Sequence, residues 1–156
     1  IARGFTEDNM LRDKISHAKH EHVFCKTLSA TETSGGVDLK GYSSATVICS
    51  IGEITNIANS PTPSWTFKLQ ESDNDSTYSD VAESDMLLDY GNNDGSVTSG
   101  VFATVDAAAE DDANYSVGYI GTSRYVRVVA TAADTPGATP IAVNVVKEAL
   151  QKPASE

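Results

Sequence analysis

Between Trp65 and Gln70 the chain alternates strictly: Trp65, Phe67 and Leu69 are apolar, and Thr66, Lys68 and Gln70 are polar. A period of two puts the two sets on opposite faces of a strand, one toward a core and one toward water. The same period marks Ser44 to Ile51, with Ala45, Val47, Cys49 and Ile51 on one face and Gly52 closing the run. Val23 to Leu28 reads as a first strand. A turn at Thr31 to Gly36 follows it, and then a short extended piece, Val37-Asp38-Leu39. Val101 to Val105, Tyr115 to Ile120, Arg124 to Thr131 and Ile141 to Val146 supply four more strands. Ser60-Pro61-Thr62-Pro63 breaks the chain, and Gly121-Thr122-Ser123 is short enough to join its two flanking strands as a hairpin. Short strands separated by Gly, Pro, Asn and Asp predict a mainly β domain, a single antiparallel β-sandwich or a jelly-roll-like barrel. There is no βαβ rhythm and no internal repeat.

The start of the chain follows a different period. Thr6 is a good N-cap, and Glu7 and Asp8 stand where a helix dipole favours acids. Phe5 and Met10 flank the cap as a hydrophobic staple, and Leu11, Ile15 and Ala18 continue one apolar stripe. The pattern predicts a short helix ending near His17 to Lys19, its narrow stripe lying on its own domain or on a partner chain. The expected layout is a helical arm over 1–21, a β-sandwich over 22–148 and a flexible tail over 149–156. No positively charged segment leads into an apolar run, so no secretory signal is read.

A length of 156 residues fits one domain, and its core needs no metal or disulfide. The 11 Lys and Arg against 22 Asp and Glu give a net charge of −11, which argues against binding a phosphate backbone. No apolar run reaches the ~18–20 residues of a membrane-spanning helix. The charge is uneven: no Lys or Arg stands between Lys68 and Arg124, whereas most of the acids do. One end or face of the sandwich is therefore expected to be strongly negative.

Candidate chemistry is sparse. Asp73-Asn74-Asp75-Ser76-Thr77 resembles the start of a calcium loop, but position six is Tyr78, not Gly, and position twelve is Ser84, not Glu. A strand-to-strand loop is the better reading, with a cation site as the alternative. His17, His20 and His22 could offer imidazoles to zinc, but no carboxylate or thiol stands at a typical spacing and Lys19 would repel the ion. They read as surface histidines at a helix C-terminus. Neither a Gly-x-Ser-x-Gly elbow nor a Cys–His signature occurs, and phosphate loops are missing as well, so no catalysis and no cofactor are expected. Cys25 and Cys49 read as two buried thiols; a disulfide would need their Cα atoms within about 7 Å.

The most informative constellation is Gly118-Tyr119-Ile120-Gly121-Thr122-Ser123-Arg124-Tyr125-Val126-Arg127-Val128. Its glycines permit a tight connection, and Tyr119, Arg124, Tyr125 and Arg127 are of the types enriched in interface hot spots. Cross-strand packing with ion pairs to the acidic loops is the alternative reading. This stretch resembles a motif, Gly-Tyr-Ile-Gly-x-x-Arg-Tyr-Val-Arg-Val, of small virion proteins of tailed bacteriophages and related gene-transfer particles. Val37 to Val47, with Leu39, Gly41 and Tyr42, is similar to the same group, as is Phe67 to Asp73 continuing through Tyr78 to Val81. The resemblance covers about residues 22–148. It departs in the acidic loop and in the long stretch from Tyr90 to Gly100.

The resemblance implies a non-enzymatic virion structural protein, foremost a capsid decoration or cement protein on the exterior of the shell, made in the host cytoplasm. The implied partners are the major capsid protein and copies of the chain itself, as a homotrimer matching shell symmetry, with no nucleic acid and no membrane. Phe5, Met10, Leu11, Ile15, Tyr42, Tyr119, Arg124, Tyr125 and Arg127 are the expected contact residues. A host-glycan-binding fibre or spike module is the second reading, and a head–tail component the third.

Overall fold

The computed structural model describes residues 17–88 and 98–149. Its strands are β1 (Ala18–Leu28), β2 (Glu32–Thr33), β3 (Val37–Asp38), β4 (Ser44–Ile51), β5 (Ser64–Ser72), β6 (Ser79–Asp80), β7 (Met86–Leu88), β8 (Val101–Val105), β9 (Ala113–Tyr119), β10 (Tyr125–Ala133) and β11 (Thr139–Glu148). A 3-10 turn, Glu83–Asp85, precedes β7. The strands form two antiparallel sheets. The five-stranded sheet has the order β1-β11-β4-β9-β7. The second has the order β2-β10-β5-β6, with β3 also on β10 and β8 also on β5. Among the described residues no strand pairs across the two sheets, so the domain is a sandwich and not a closed barrel.

The alternation explains the packing. Ala45, Val47, Cys49 and Ile51 of β4 and Trp65, Phe67 and Leu69 of β5 are all buried, and they meet across the interior. Tyr115, Val117 and Tyr119 of β9 and Val126, Val128 and Ala130 of β10 extend the same two inner faces. The Phe67 and Phe102 rings lie 6.2 Å apart and tilted by 32°. The indole of Trp65 is fully buried and donates to Thr139 Oγ1 at 3.2 Å.

Several expectations are corrected by the pairing. Gly121-Thr122-Ser123 does not close a hairpin: β9 pairs with β4 and β7, and β10 with β5, β2 and β3, so this loop crosses from one sheet to the other. Length alone cannot distinguish a hairpin turn from a sandwich corner. β1 starts at Ala18, earlier than the expected Val23, so His20 and His22 sit exposed on an edge strand and not at a helix end. The helix expected around Phe5, Met10, Leu11 and Ile15 lies outside the described residues. Of the expected tail, Ala149 is described, and its N–H donates to His17 O at 2.9 Å; the remainder lies outside the described residues.

Cys49 is buried, and that burial pushes its thiol well above the usual range, but Cys25 is exposed. The two cysteines lie on β1 and β4, separated by β11, and face opposite sides of the sheet, so both are free. The acids do not collect at one end either. Asp73 and Asp75 follow β5 at the end where Ser72 pairs with Tyr125. Asp106, Glu110, Asp111 and Asp112 join β8 to β9 at the opposite end, where Trp65 pairs with Val105.

Candidate interaction site at the motif end of the sandwich

One end of the sandwich is built by the β3–β4 loop and the β9–β10 crossover. Leu39 starts a turn closed by the Tyr42 N–H donating to Leu39 O at 2.9 Å. Gly41 within it has φ +85°, a left-handed conformation that a Cβ would strain. Across from it, Tyr119 ends β9 with its ring turned inward and 1% exposed. A Cβ on Gly121 would meet that ring at 2.6 Å, so only glycine lets the crossover pass over it. Between the two loops lies a cleft of about 380 Å³, lined by Leu39 to Ser44 on one side and by Tyr119 and Gly121 to Arg124 on the other.

Hydrogen bonds tie this end together. The Tyr119 hydroxyl donates to Glu71 Oε2 at 2.5 Å and accepts from the Ser123 N–H at 3.0 Å. It thereby joins β9, the crossover and β5. Burial, followed by the Glu71 carboxylate, pushes this phenol far above its ordinary range. Lys147 is only 4% exposed, an unusual place for an ammonium. Its Nζ donates to Asp38 O at 2.8 Å, pairs with Glu21 Oε2 at 2.6 Å and stands 5.0 Å from the centre of the Tyr42 ring. Sequence reasoning missed Lys147. Its signal was its place in the inward register of β11, two residues beyond Val145.

The basic and aromatic residues of the crossover continue onto the outer face of the second sheet. Arg124 binds Asp38 in a fork, with Nε donating to Oδ1 at 3.0 Å and Nη2 to Oδ2 at 2.7 Å. Hydrogen bonding from that guanidinium holds the Asp38 carboxyl at about 2. The same guanidinium lies 5.0 Å from the Tyr125 ring centre. Arg127 stacks at 3.9 Å on the Tyr78 ring and donates through Nε and Nη2 to Gln70 Oε1. Gln70 in turn donates to Asp80 Oδ1, and Lys68 to Asp80 Oδ2, and these bonds keep the Asp80 carboxyl below its usual range. The hydroxyl of Tyr78 donates to Asp75 Oδ1; burial first, and this acceptor second, push it up to about 12.

The structure therefore brings Tyr42, Tyr119, Arg124, Tyr125 and Arg127 to one end and its adjoining face. It removes one of them from any surface: Tyr119 is a buried tie between the sheets, because inward alternation on β9 carries it into the core. Tyr42, Tyr125 and Arg127 are half-buried, and Arg124 is exposed. In the 73–78 loop, Asn74 Oδ1 accepts from the N–H groups of Ser76 and Thr77, so its oxygen closes the loop. No group of three or more His, Cys, Asp or Glu placed to hold a metal ion occurs among the described residues.

No protein-family model matches the chain, and no curated protein matches it significantly. One solved structure with a similar arrangement is that of the CBM22-1–GH10 modules of Clostridium thermocellum endo-1,4-β-D-xylanase 10B complexed with xylohexaose. It has a TM-score of 0.41 and 10% identity over 86% of this chain, which spans 30% of that protein's length.

Proposed function

We propose that this β-sandwich is a non-enzymatic structural protein of a tailed-phage virion, a decoration protein bound to the outer surface of the capsid shell. One observation carries the reading. The three segments that resemble virion proteins, 37–47, 67–81 and 118–128, are far apart in sequence yet assemble into one end of the fold. Tyr119 ties the third to the second through Glu71, and Arg124 ties it to the first through Asp38. That end carries Tyr42, Arg124, Tyr125 and Arg127, whose side chains give large, planar contact area with hydrogen-bond donors. An acidic chain is also better suited to the outside of a shell than to the side facing packaged DNA.

The host-glycan reading is weaker, because stacking on a sugar needs a free aromatic face: Trp65 is fully buried, and the half-buried Tyr42 and Tyr125 rings are already faced by Lys147 and Arg124. The proposal is tested by adding the purified chain to shells stripped of it. Saturable binding that raises the temperature at which shells rupture is expected, and Arg124→Ala with Tyr125→Ala should weaken it at least tenfold. Shells that neither bind the chain nor gain stability would overturn the assignment.

A further inference from the structure

Lys147 is the one charged side chain buried among the described residues. It follows Ile141, Val143 and Val145 on the inner face of β11, where the alternation calls for another apolar group. An ammonium in such a place costs free energy unless its donors are met, so its contacts define what it does there. They reach three elements at the motif end. Nζ pairs with Glu21 Oε2 on β1 at 2.6 Å, donates to Asp38 O on β3 at 2.8 Å and stands 5.0 Å from the Tyr42 ring centre in the β3–β4 loop. β1 and β11 belong to the five-stranded sheet and β3 to the second, so this side chain spans the sandwich.

We propose that Lys147 is the positioning residue of this end, setting where Tyr42 and Arg124 stand without meeting a partner itself. The inference rests on the reading of this end as the surface that binds the shell. Two of the three contacts lead to residues of that surface. Tyr42 is reached directly: its hydroxyl makes no hydrogen bond among the described residues, and Lys147 is the cation on its ring. Arg124 is reached through Asp38. Lys147 fixes the carbonyl of that residue, and the Asp38 carboxylate takes the Arg124 guanidinium at 3.0 and 2.7 Å. The same carboxylate accepts from the Lys40 N–H at 2.9 Å, and the Leu39 N–H donates to Arg124 O at 2.7 Å. A single buried cation therefore holds the β3–β4 loop against the β9–β10 crossover, the two walls of the cleft between them. Burial suits it to this work. An exposed ion pair is screened by salt and changes rotamer freely, whereas packing fixes this one.

Lys147→Met keeps the aliphatic stem and removes the charge. With its folding confirmed by far-UV circular dichroism, this variant should bind stripped shells at least tenfold more weakly than the native chain. It should add little to the loss already caused by Tyr42→Ala and Arg124→Ala together. NMR spectra of the free chain give a readout that needs no shells. The Tyr42 ring and Arg124 Nε–H signals should move, while the Tyr115 ring, whose hydroxyl donates to Glu110 O at the opposite end, keeps its shifts. Lys147→Gln, which keeps a donor but no charge, serves if the Met variant does not fold. Failure of both to fold would make Lys147 a stability element alone and overturn its positioning role. So would binding at the native level, a loss undiminished in the triple variant, or unmoved Tyr42 and Arg124 signals. A native chain that leaves shells bare refutes the virion reading instead, and the spectra then decide the role of Lys147 on their own.

Discussion

Tyr119 concentrates the logic of the fold in one side chain. Its ring fills the core at the point where the chain leaves one sheet for the other, and its hydroxyl serves the Glu71 carboxylate and the Ser123 amide together. Tyr119→Phe keeps the ring and leaves both partners short of a bond, which should cost about 2 kcal/mol. Urea unfolding checks this, and a loss no larger than that of Tyr125→Phe would show the hydroxyl to be dispensable. Asp38 makes a pH-dependent contribution. Its folded-state value of about 2 lies below the ordinary 3.8, so the Arg124 pairing stabilises fully above 3.8 and is lost as pH falls toward 2. The gap in urea midpoint between the native chain and Asp38→Asn should therefore be largest above 3.8 and close near 2. A gap that widened on acidification would contradict the pairing.

At the scale of elements, the crossover from β9 to β10 decides the architecture, since a hairpin there would have merged the two sheets. Gly121 lets it pass. Gly121→Val would put atoms within 2.6 Å of the Tyr119 ring, and overpacking of this kind should cost about 2 kcal/mol or more. Gly35→Ala, with nothing within 4 Å, should stay within about 0.5 kcal/mol. Thermal unfolding of the two variants reads the contrast directly. The bodies of β4 and β5 were legible in the sequence because both are central strands whose period of two is set by burial on one face. Met86–Leu88 was not, because three residues are too few to show a period. The sheet membership of β9 and β10 was hidden for another reason: it depends on the central strands they pair with, β4 for β9 and β5 for β10, which are more than fifty residues away. The same holds for Lys147, whose buried position follows from β11 lying between β1 and β4. The motif residues were recognisable by type, but which of them reach the surface was fixed by inward alternation on β9.

The whole molecule is polarised differently from what its charge profile suggests. Among the described residues, the acids of the long interval without Lys or Arg are spread over both ends of the sandwich and, at Asp80, onto the outer face of the second sheet, where they are paired, while the outward positions of β1, β11 and β4 carry little charge. An acidic body with an arginine–tyrosine end suits a protein that coats a surface in many copies. Imaging of the intact virion at a resolution that traces strands tests this most directly. Density matching the sandwich should lie on the outer surface of the shell, repeated in proportion to the major capsid protein, with the Arg124–Tyr125 end against the shell. The same density confined to one vertex, to the neck or fibres, or to the inner surface of the shell would contradict the account.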